Sequence, residues 1–290
     1  MKIGIAGLGL MGGSLGRALV RKTEHTVYAY DCDAEAMLKG GMLEAYHEEL
    51  TDANAGELDV LVLAVLPSAM EGIAERFLPL MKSGATVTDL AGVKRPVVNL
   101  MKEWAKRRPD LGFAGGHPMA GREFSGVAHS TVGLYENSSV LIVPVSAELE
   151  QLAVLKKMYV AVGAEGVVIT DADTHDEMIA YTSQLAHVVS SAYVKSPSAD
   201  KHYGYSAGSF RDMTRVARMN ASMWTELMRE NADNLSREVR SMAVRLTEYA
   251  DALDSGDDGA LYRLLEAGNE KKLSVEKDRL RKLQNALDGD

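Results

Sequence analysis

The feature that most restricts how this chain can fold lies in its first thirty-one residues. Lys2-Ile3-Gly4-Ile5-Ala6 reads as a buried strand, runs directly into Gly7-Leu8-Gly9-Leu10-Met11-Gly12, and is followed at once by a helical pattern. In that context the glycines have separate tasks. Gly7 makes the tight turn, Gly9 lets a pyrophosphate approach the backbone, and Gly12 lets the helix pack closely on the strand. Leu8, Leu10 and Met11 supply the remaining backbone of the turn, and the helix N-terminus meets the phosphate charge. A second apolar run, Thr26-Val27-Tyr28-Ala29-Tyr30, ends at Asp31, about twenty residues after the glycines, as a dinucleotide-binding fingerprint requires. A carboxylate there accepts hydrogen bonds from ribose hydroxyls and repels a 2′-phosphate. No lysine or arginine occurs in Cys32-Asp33-Ala34-Glu35 to receive such a phosphate, so NAD is expected in preference to NADP. The plainer reading, that Asp31 is only a polar residue closing a strand, does not explain its spacing.

The first half continues in the rhythm of an α/β sheet. Strands are expected at 59–65, 85–89, 112–115 and 139–143, with near-continuous apolar content that suits burial on both faces. Ligands of such sheets bind beyond the carboxyl ends of the strands, where Leu66-Pro67, Leu90-Ala91-Gly92 and Gly116-His117 fall. After a short strand at 166–170 the pattern changes to helices, expected over 172–196, 208–218, 221–252 and 258–285, with Ala, Leu, Met, Glu and Arg prominent. The fold class expected is therefore α/β and then all-α. A Rossmann NAD-binding domain covers residues 1–170, and a helical substrate-binding and dimerisation domain covers 171–290. The charged end from Glu270 to Asp290 reads as a solvated helix that frays.

Composition narrows the class of function. The chain has 290 residues, 46% of them hydrophobic, and a formal net charge of −9, which argues against general binding to nucleic acid or to anionic membranes. An anionic substrate then needs a local cluster of positive charge. The single cysteine, Cys32, excludes an internal disulfide and a cysteine metal cluster, in keeping with a reducing compartment. No targeting segment is read at the amino terminus, and no apolar run approaches the roughly 20 residues that span a bilayer. A soluble, cytoplasmic protein is expected.

Three groups of residues carry chemistry. The glycine-rich stretch from Gly115 to Gly126 sets His117 and Glu123 in one loop beyond a strand. An imidazole with an ordinary pKa of about 6.5 can take a proton near neutral pH, although a loop histidine beside a proline is more often structural. On the long helix, Asp176 and His187 are eleven residues apart, which puts them on nearly the same face about 16 Å apart, with Gln184 one turn from His187. A polar face in solvent or at a subunit contact is the alternative. Arg211, Arg215 and Arg218 fall at i, i+4 and i+7, a row able to grip a carboxylate through parallel hydrogen bonds or to form a solvated basic stripe.

These motifs together resemble the prephenate/arogenate (cyclohexadienyl) dehydrogenase family of tyrosine biosynthesis. The resemblance rests on Gly7 to Ser14, His117-Pro118-Met119-Ala120-Gly121 with Glu123 and Ser125-Gly126, His175-Asp176, Ser183 to His187, and Phe210 to Arg215 with Met223-Trp224, in order over roughly residues 1–280. It implies a homodimer that oxidatively decarboxylates prephenate to 4-hydroxyphenylpyruvate, or arogenate to tyrosine. It further implies that His117 is the catalytic base and that Arg215 holds a substrate carboxylate. By the same resemblance His187 and Gln184 line the substrate pocket, Glu123 and Asp176 gate or shape it with Asp176 reaching across the dimer, and Trp224 lies near it. A core anchor is the plainer reading of Trp224.

Two departures stand out. Gly92 in Asp89-Leu90-Ala91-Gly92-Val93-Lys94 replaces the family's usual serine, whose hydroxyl touches the catalytic histidine. Gln184 replaces a common histidine, and Ala186 a proline; glutamine hydrogen-bonds but carries no positive charge. These departures keep a non-catalytic NAD-binding regulatory protein open as a reading. A β-hydroxyacid dehydrogenase or imine reductase of similar plan leaves Gly-His-Pro-Met-Ala-Gly without a role.

Overall fold

A computed structural model describes residues 1–287, with side chains through residue 277. It divides into two compact units, Met1–Leu235 and Ser236–Asp290. The first is built on an eight-stranded sheet. Its strands are β1 (Lys2–Ala6), β2 (Thr26–Tyr30), β3 (Glu48–Glu49), β4 (Val60–Leu63), β5 (Thr86–Asp89), β6 (Gly112–Pro118), β7 (Ser139–Pro144) and β8 (Gly166–Ile169), in the spatial order β3-β2-β1-β4-β5-β6-β7-β8. All neighbours are parallel except β6 and β7. Helices α1 (Leu10–Lys22), α2 (Ala34–Met42), α3 (Pro67–Phe77), α4 (Arg95–Arg107) and α5 (Leu149–Ala161) connect them.

Side-chain alternation explains why both faces are covered. Along β4, Leu61 and Leu63 join a core with Met70 and Phe77 of α3 and Met101 and Trp104 of α4. Val60 and Val62 point the other way, into a core with Leu15 and Leu19 of α1 and Leu155 and Tyr159 of α5. The expected doubly covered α/β sheet is therefore present, followed by helices.

Strand β6 is longer than expected, and this changes the setting of His117. The parallel β5–β6 ladder stops at Val87↔Phe113, but antiparallel pairing with β7 carries β6 on through His117↔Leu141 and Pro118↔Val140. His117 thus sits on a strand rather than in a loop beyond it. The neighbouring glycines serve packing. A Cβ on Gly116 would lie 2.5 Å from the Asp89 carbonyl oxygen, and one on Gly115 would lie 2.9 Å from Lys94 Cδ.

The expected helix over 172–196 is α6 (Ala172–Ile179), a π-helical segment at Ala180–Gln184, and α7 (Leu185–Val194). A π turn takes in about one extra residue and rotates the helix beyond it by about 100°. Asp176 and His187 accordingly do not share a face. The arginine row is also broken, because α8 (Gly208–Thr214) ends before Arg215 and leaves Arg218 outside it. The helix expected over 221–252 is α9 (Ala221–Glu230) and α10 (Ala232–Ser255), separated at the buried Asn231.

In the second unit, α10 turns at Gly256, whose φ of 64° suits glycine, into α11 (Asp258–Leu287). The Tyr249 hydroxyl donates to the Leu264 carbonyl at 3.1 Å. The charged end is helical through Leu287, and residues 288–290 of the segment expected to fray lie outside the described residues. Among the described residues no helix is long and apolar enough to cross a membrane.

Candidate active site

The turn after β1 has the shape expected of a phosphate cradle. Gly7 has φ 104°, and a Cβ there would come within 2.5 Å of the Ala64 carbonyl oxygen. A Cβ on Gly12 would meet the Gly7 carbonyl oxygen at 2.0 Å, whereas one on Gly9 would meet nothing within 4 Å. The open space is thus on the side where a ligand approaches. Helix α1 starts at Leu10 and Met11 with no side-chain cap and no acidic residue in its first turn, which leaves its N-terminal amides and dipole for an anion. Leu8 departs from the expectation of ligand contact. It is buried, and its amide donates to Asp31 Oδ2 at 2.7 Å.

Asp31 Oδ1 also accepts from the Asp33 amide at 2.9 Å, so the carboxylate is oriented at the end of β2 with lone pairs to spare. Beside it opens a groove of about 490 Å³ lined by Asp31, Met37, Leu38, Met42, Tyr46 and Glu49 among others. Apolar walls with two carboxylates suit an adenosine whose ribose hydroxyls are free. Leu66 precedes α3, and Pro67 occupies its first turn, where the missing amide hydrogen costs nothing. The next amide, Ser68 N, donates to Glu226 Oε1 of α9 at 3.1 Å.

His117 is the end of a buried chain of hydrogen bonds. Its Nδ1 lies 2.9 Å from His175 Nε2, and His175 Nδ1 lies 2.7 Å from Asp176 Oδ1. Asp176 Oδ1 also accepts from the Lys94 amide at 2.7 Å, and Oδ2 from the Arg95 amide at 2.9 Å and Arg95 Nε at 3.3 Å. The other nitrogen of His117, Nε2, looks toward Gly92, where an added Cβ would be 3.9 Å away. Desolvation, the Lys94 charge and His175 hold the His117 pKa well below that of an ordinary imidazole. Burial likewise lowers His175, with Lys94 adding to it and Asp176 opposing it. Burial would raise the Asp176 carboxyl, but the His175 hydrogen bond and the Arg95 and Lys94 amides outweigh it and hold the group ionised. Lys94 is itself fully buried in an ion pair with Asp89, and Asp89 Oδ1 accepts from the Gly116 amide at 2.9 Å. Past the end of the β5–β6 ladder, this side chain ties the two strands together.

The remaining candidates divide. Arg215 Nη1 donates to Glu123 Oε1 at 3.1 Å, joining the end of α8 to the segment after β6. The backbone at Glu123 and the Arg215 guanidinium keep the Glu123 carboxyl below its ordinary range. His187 Nδ1 donates to the Ser183 carbonyl at 2.9 Å, and its ring lies 3.9 Å from that of Trp224 at 33°, which leaves Nε2 for a ligand. Two residues expected to meet substrate do not. Asp176 is fully buried with both oxygens occupied by its own chain, so it neither lines a pocket nor reaches a partner. Gln184 is buried, with Nε2 donating to the Leu227 carbonyl at 3.0 Å and Oε1 accepting from Asn231 Nδ2 at 2.9 Å. Each end of its amide is thus engaged within its own chain, away from a substrate-facing surface.

Asn231, which the sequence did not single out, connects this region. Its Nδ2 also donates to the Asp176 carbonyl at 2.7 Å, and its Oδ1 accepts from Arg95 Nη2 at 2.9 Å. Its signal in the sequence is weak, a polar residue within a long helical pattern. His175 had a better one, since it directly precedes Asp176.

Comparison with known proteins agrees with this geometry. The family model of the prephenate dehydrogenase nucleotide-binding domain matches residues 15–169, and that of the prephenate dehydrogenase dimerisation domain matches residues 171–267. A prephenate dehydrogenase of Lactococcus lactis subsp. cremoris is 28% identical over 95% of this chain and 77% of its own length. A cyclohexadienyl dehydrogenase of Zymomonas mobilis is 28% identical over 95% of this chain and 96% of its own. The crystal structure of prephenate dehydrogenase from A. aeolicus in complex with hydroxyphenyl propionate and NAD+ has a TM-score of 0.80 at 26% identity, covering 95% of this chain and 98% of that one. With two family models spanning most of its length and a glycine turn, aspartate and histidine arranged as described, the chain belongs to the prephenate dehydrogenase family.

Proposed function

We propose that this protein catalyses the NAD-dependent oxidative decarboxylation of prephenate to 4-hydroxyphenylpyruvate, with His117 as the base. The observation that carries the reading is the hydrogen-bonded His117, with Nδ1 engaged by His175 and Nε2 left beside Gly92. The open side of Gly9, the uncapped start of α1 and Asp31 fit NAD, which when bound accepts hydride from ring carbon 4. His117 Nε2 takes the proton of the 4-hydroxyl as that hydride leaves. The bond from ring carbon 1 to its carboxylate then breaks, carbon dioxide departs, and the electron pair completes the aromatic ring. The phenolate oxygen recovers its proton from His117, which is thereby ready for the next cycle.

Arg215 holds a substrate carboxylate, for which it must exchange or share its contact with Glu123. His187 and Trp224 form one wall of the pocket. We put the boundary between the nucleotide-binding and helical parts at 170/171, a reading supported by one family match that ends at residue 169 and another that begins at 171. The protein works as a homodimer in the cytoplasm. The dimerisation-domain match supports the homodimer, as do the exposed Val244, Leu246, Leu253, Tyr262 and Leu265 of the second unit. The free Cys32 suits a reducing compartment.

Arogenate is the second reading, favoured by the likeness to a cyclohexadienyl dehydrogenase. The test is NADH formation by the purified protein with NAD and prephenate or arogenate offered separately, and NADP as the control. Turnover of prephenate with NAD supports the proposal, turnover of arogenate alone replaces the substrate, and silence with both while NAD binds removes the catalytic reading.

A further inference from the structure

We propose that His175 and Asp176 are a positioning pair that selects the tautomer of His117, so that Nε2, the nitrogen beside Gly92, is the proton acceptor. The inference rests on His117 being the base.

Each link of the chain permits one assignment. Asp176 faces donors only, namely the Lys94 and Arg95 amides, Arg95 Nε and His175. A carboxylate satisfies all of them, and a protonated acid would set a hydrogen against one. His175 Nδ1 must therefore carry the proton it shares with Asp176. A neutral imidazole has one N–H, so His175 Nε2 is a bare acceptor, and the 2.9 Å contact to His117 requires that His117 Nδ1 be the donor. His117 Nε2 is then left without hydrogen. The alternative is a cationic His175 that donates from both nitrogens, which would leave His117 with its hydrogen on Nε2, unable to act as a base. Such a cation would be buried beside the Lys94 ammonium, and the lowered pKa of His175 speaks against it.

The pair is built to stay in place. The Asp176 carbonyl is bound by Asn231, and Arg95, which grips the carboxylate, is itself held by Asp233, with Nη1 2.8 Å from Oδ2. On the other side of the imidazole stands Gly92, whose lack of a side chain leaves only the Nδ1 side to orient the ring. The charged and titratable groups facing the two histidines are Asp89 at the end of β5, Lys94 from the segment after it, Arg95 from α4 and Asp176 from α6, while α9 presents Leu227 near Gly92. No exit path for a proton is needed, because His117 returns to the phenolate the proton it took. The pair therefore sets orientation and tautomer instead of acting as a conduit.

The test compares His175→Leu, His175→Gln and His117→Asn with the parent protein, using NAD and prephenate, and records kcat, KM, NAD affinity, melting temperature and the pH dependence of kcat/KM. Glutamine can accept from His117 through Oε1 and donate to Asp176 through Nε2, so it reproduces the pattern that leucine abolishes. His175→Leu should lower kcat by about 100-fold or more, the scale of a displaced general base, with KM and NAD affinity little changed. His175→Gln should recover most of the loss. In the parent protein, ¹⁵N-histidine NMR near neutral pH should show His117, assigned by its disappearance in His117→Asn, with hydrogen on Nδ1 and none on Nε2. An Nε2–H tautomer overturns the inference, even where the leucine variant fails to fold. So does His175→Leu with parental kcat and pH profile while His117→Asn is inactive. Full turnover by His117→Asn would instead remove His117 as the base, which is a separate failure.

Discussion

Replacing Gly92 with serine should add a hydroxyl that competes with substrate for His117 Nε2 and lower turnover. The substitution fits sterically. A Cβ at position 92 would sit 3.7 Å from Leu227 Cδ1 and 3.9 Å from His117 Nε2, both ordinary contacts, and the backbone is outside the left-handed region. Rotation about the new Cα–Cβ bond brings the hydroxyl to roughly 2.8 Å from Nε2, a normal hydrogen-bond distance. The bare nitrogen has one lone pair, and a neutral hydrogen bond that must be broken before the substrate hydroxyl can reach it costs about 1 kcal/mol net, which corresponds to about a fivefold loss in rate. Folding should not suffer, because replacing glycine at a compatible position stabilises by about 0.4–1 kcal/mol through the unfolded chain. The assay is steady-state NADH formation with prephenate, alongside thermal unfolding. A variant that folds as well as the parent and turns over as fast or faster would refute the placement of Nε2 as the reacting nitrogen.

The same geometry sets three further outcomes. Arg215→Ala removes a charge-assisted contact to a carboxylate, worth about 1.5–3 kcal/mol, so KM for prephenate should rise about 10- to 100-fold; an effect confined to NAD affinity would contradict its role. Asp31→Ala should lower the ratio of kcat/KM with NAD to that with NADP, and an unchanged ratio would remove Asp31 as the selector. Asp176→Asn sets an amide NH₂ against one of the buried donors that now meet oxygen and should cost about 3–5 kcal/mol in urea unfolding at pH 7. Because the folded-state pKa of Asp176 lies below its unfolded value of about 3.9, its contribution is complete above that value and is lost as pH falls through the folded one. The gap between the two proteins should therefore narrow in acid, and a gap independent of pH would show that Asp176 is not ionised.

The parts of the structure legible in the sequence are local in origin. The glycine turn and Asp31 are fixed by backbone geometry within one strand-turn-helix-strand unit, so their spacing carries both the fold and the cofactor. His117 stands out by residue type and neighbours, but its strand setting depends on pairing with β7, which begins more than twenty residues later. The π-helical segment has no composition of its own, and without it Asp176 and His187 wrongly project onto one face. Gln184 and Asp176 read as pocket residues through the family resemblance, since polarity on a helix fits a solvent or subunit face equally well. Their partners, Leu227, Asn231, Lys94 and Arg95, come from other parts of the chain and engage their polar atoms. Buried polar groups find such partners as a rule, but a single sequence does not show which ones.

The most direct measurement of the proposed reaction is the stoichiometry of NADH formed to carbon dioxide released from prephenate labelled in its ring carboxylate. Oxidation coupled to decarboxylation, with His117 as the base, requires one carbon dioxide for each NADH, and both should vanish in His117→Asn while NAD still binds. NADH without labelled carbon dioxide, or undiminished release by His117→Asn, would contradict it.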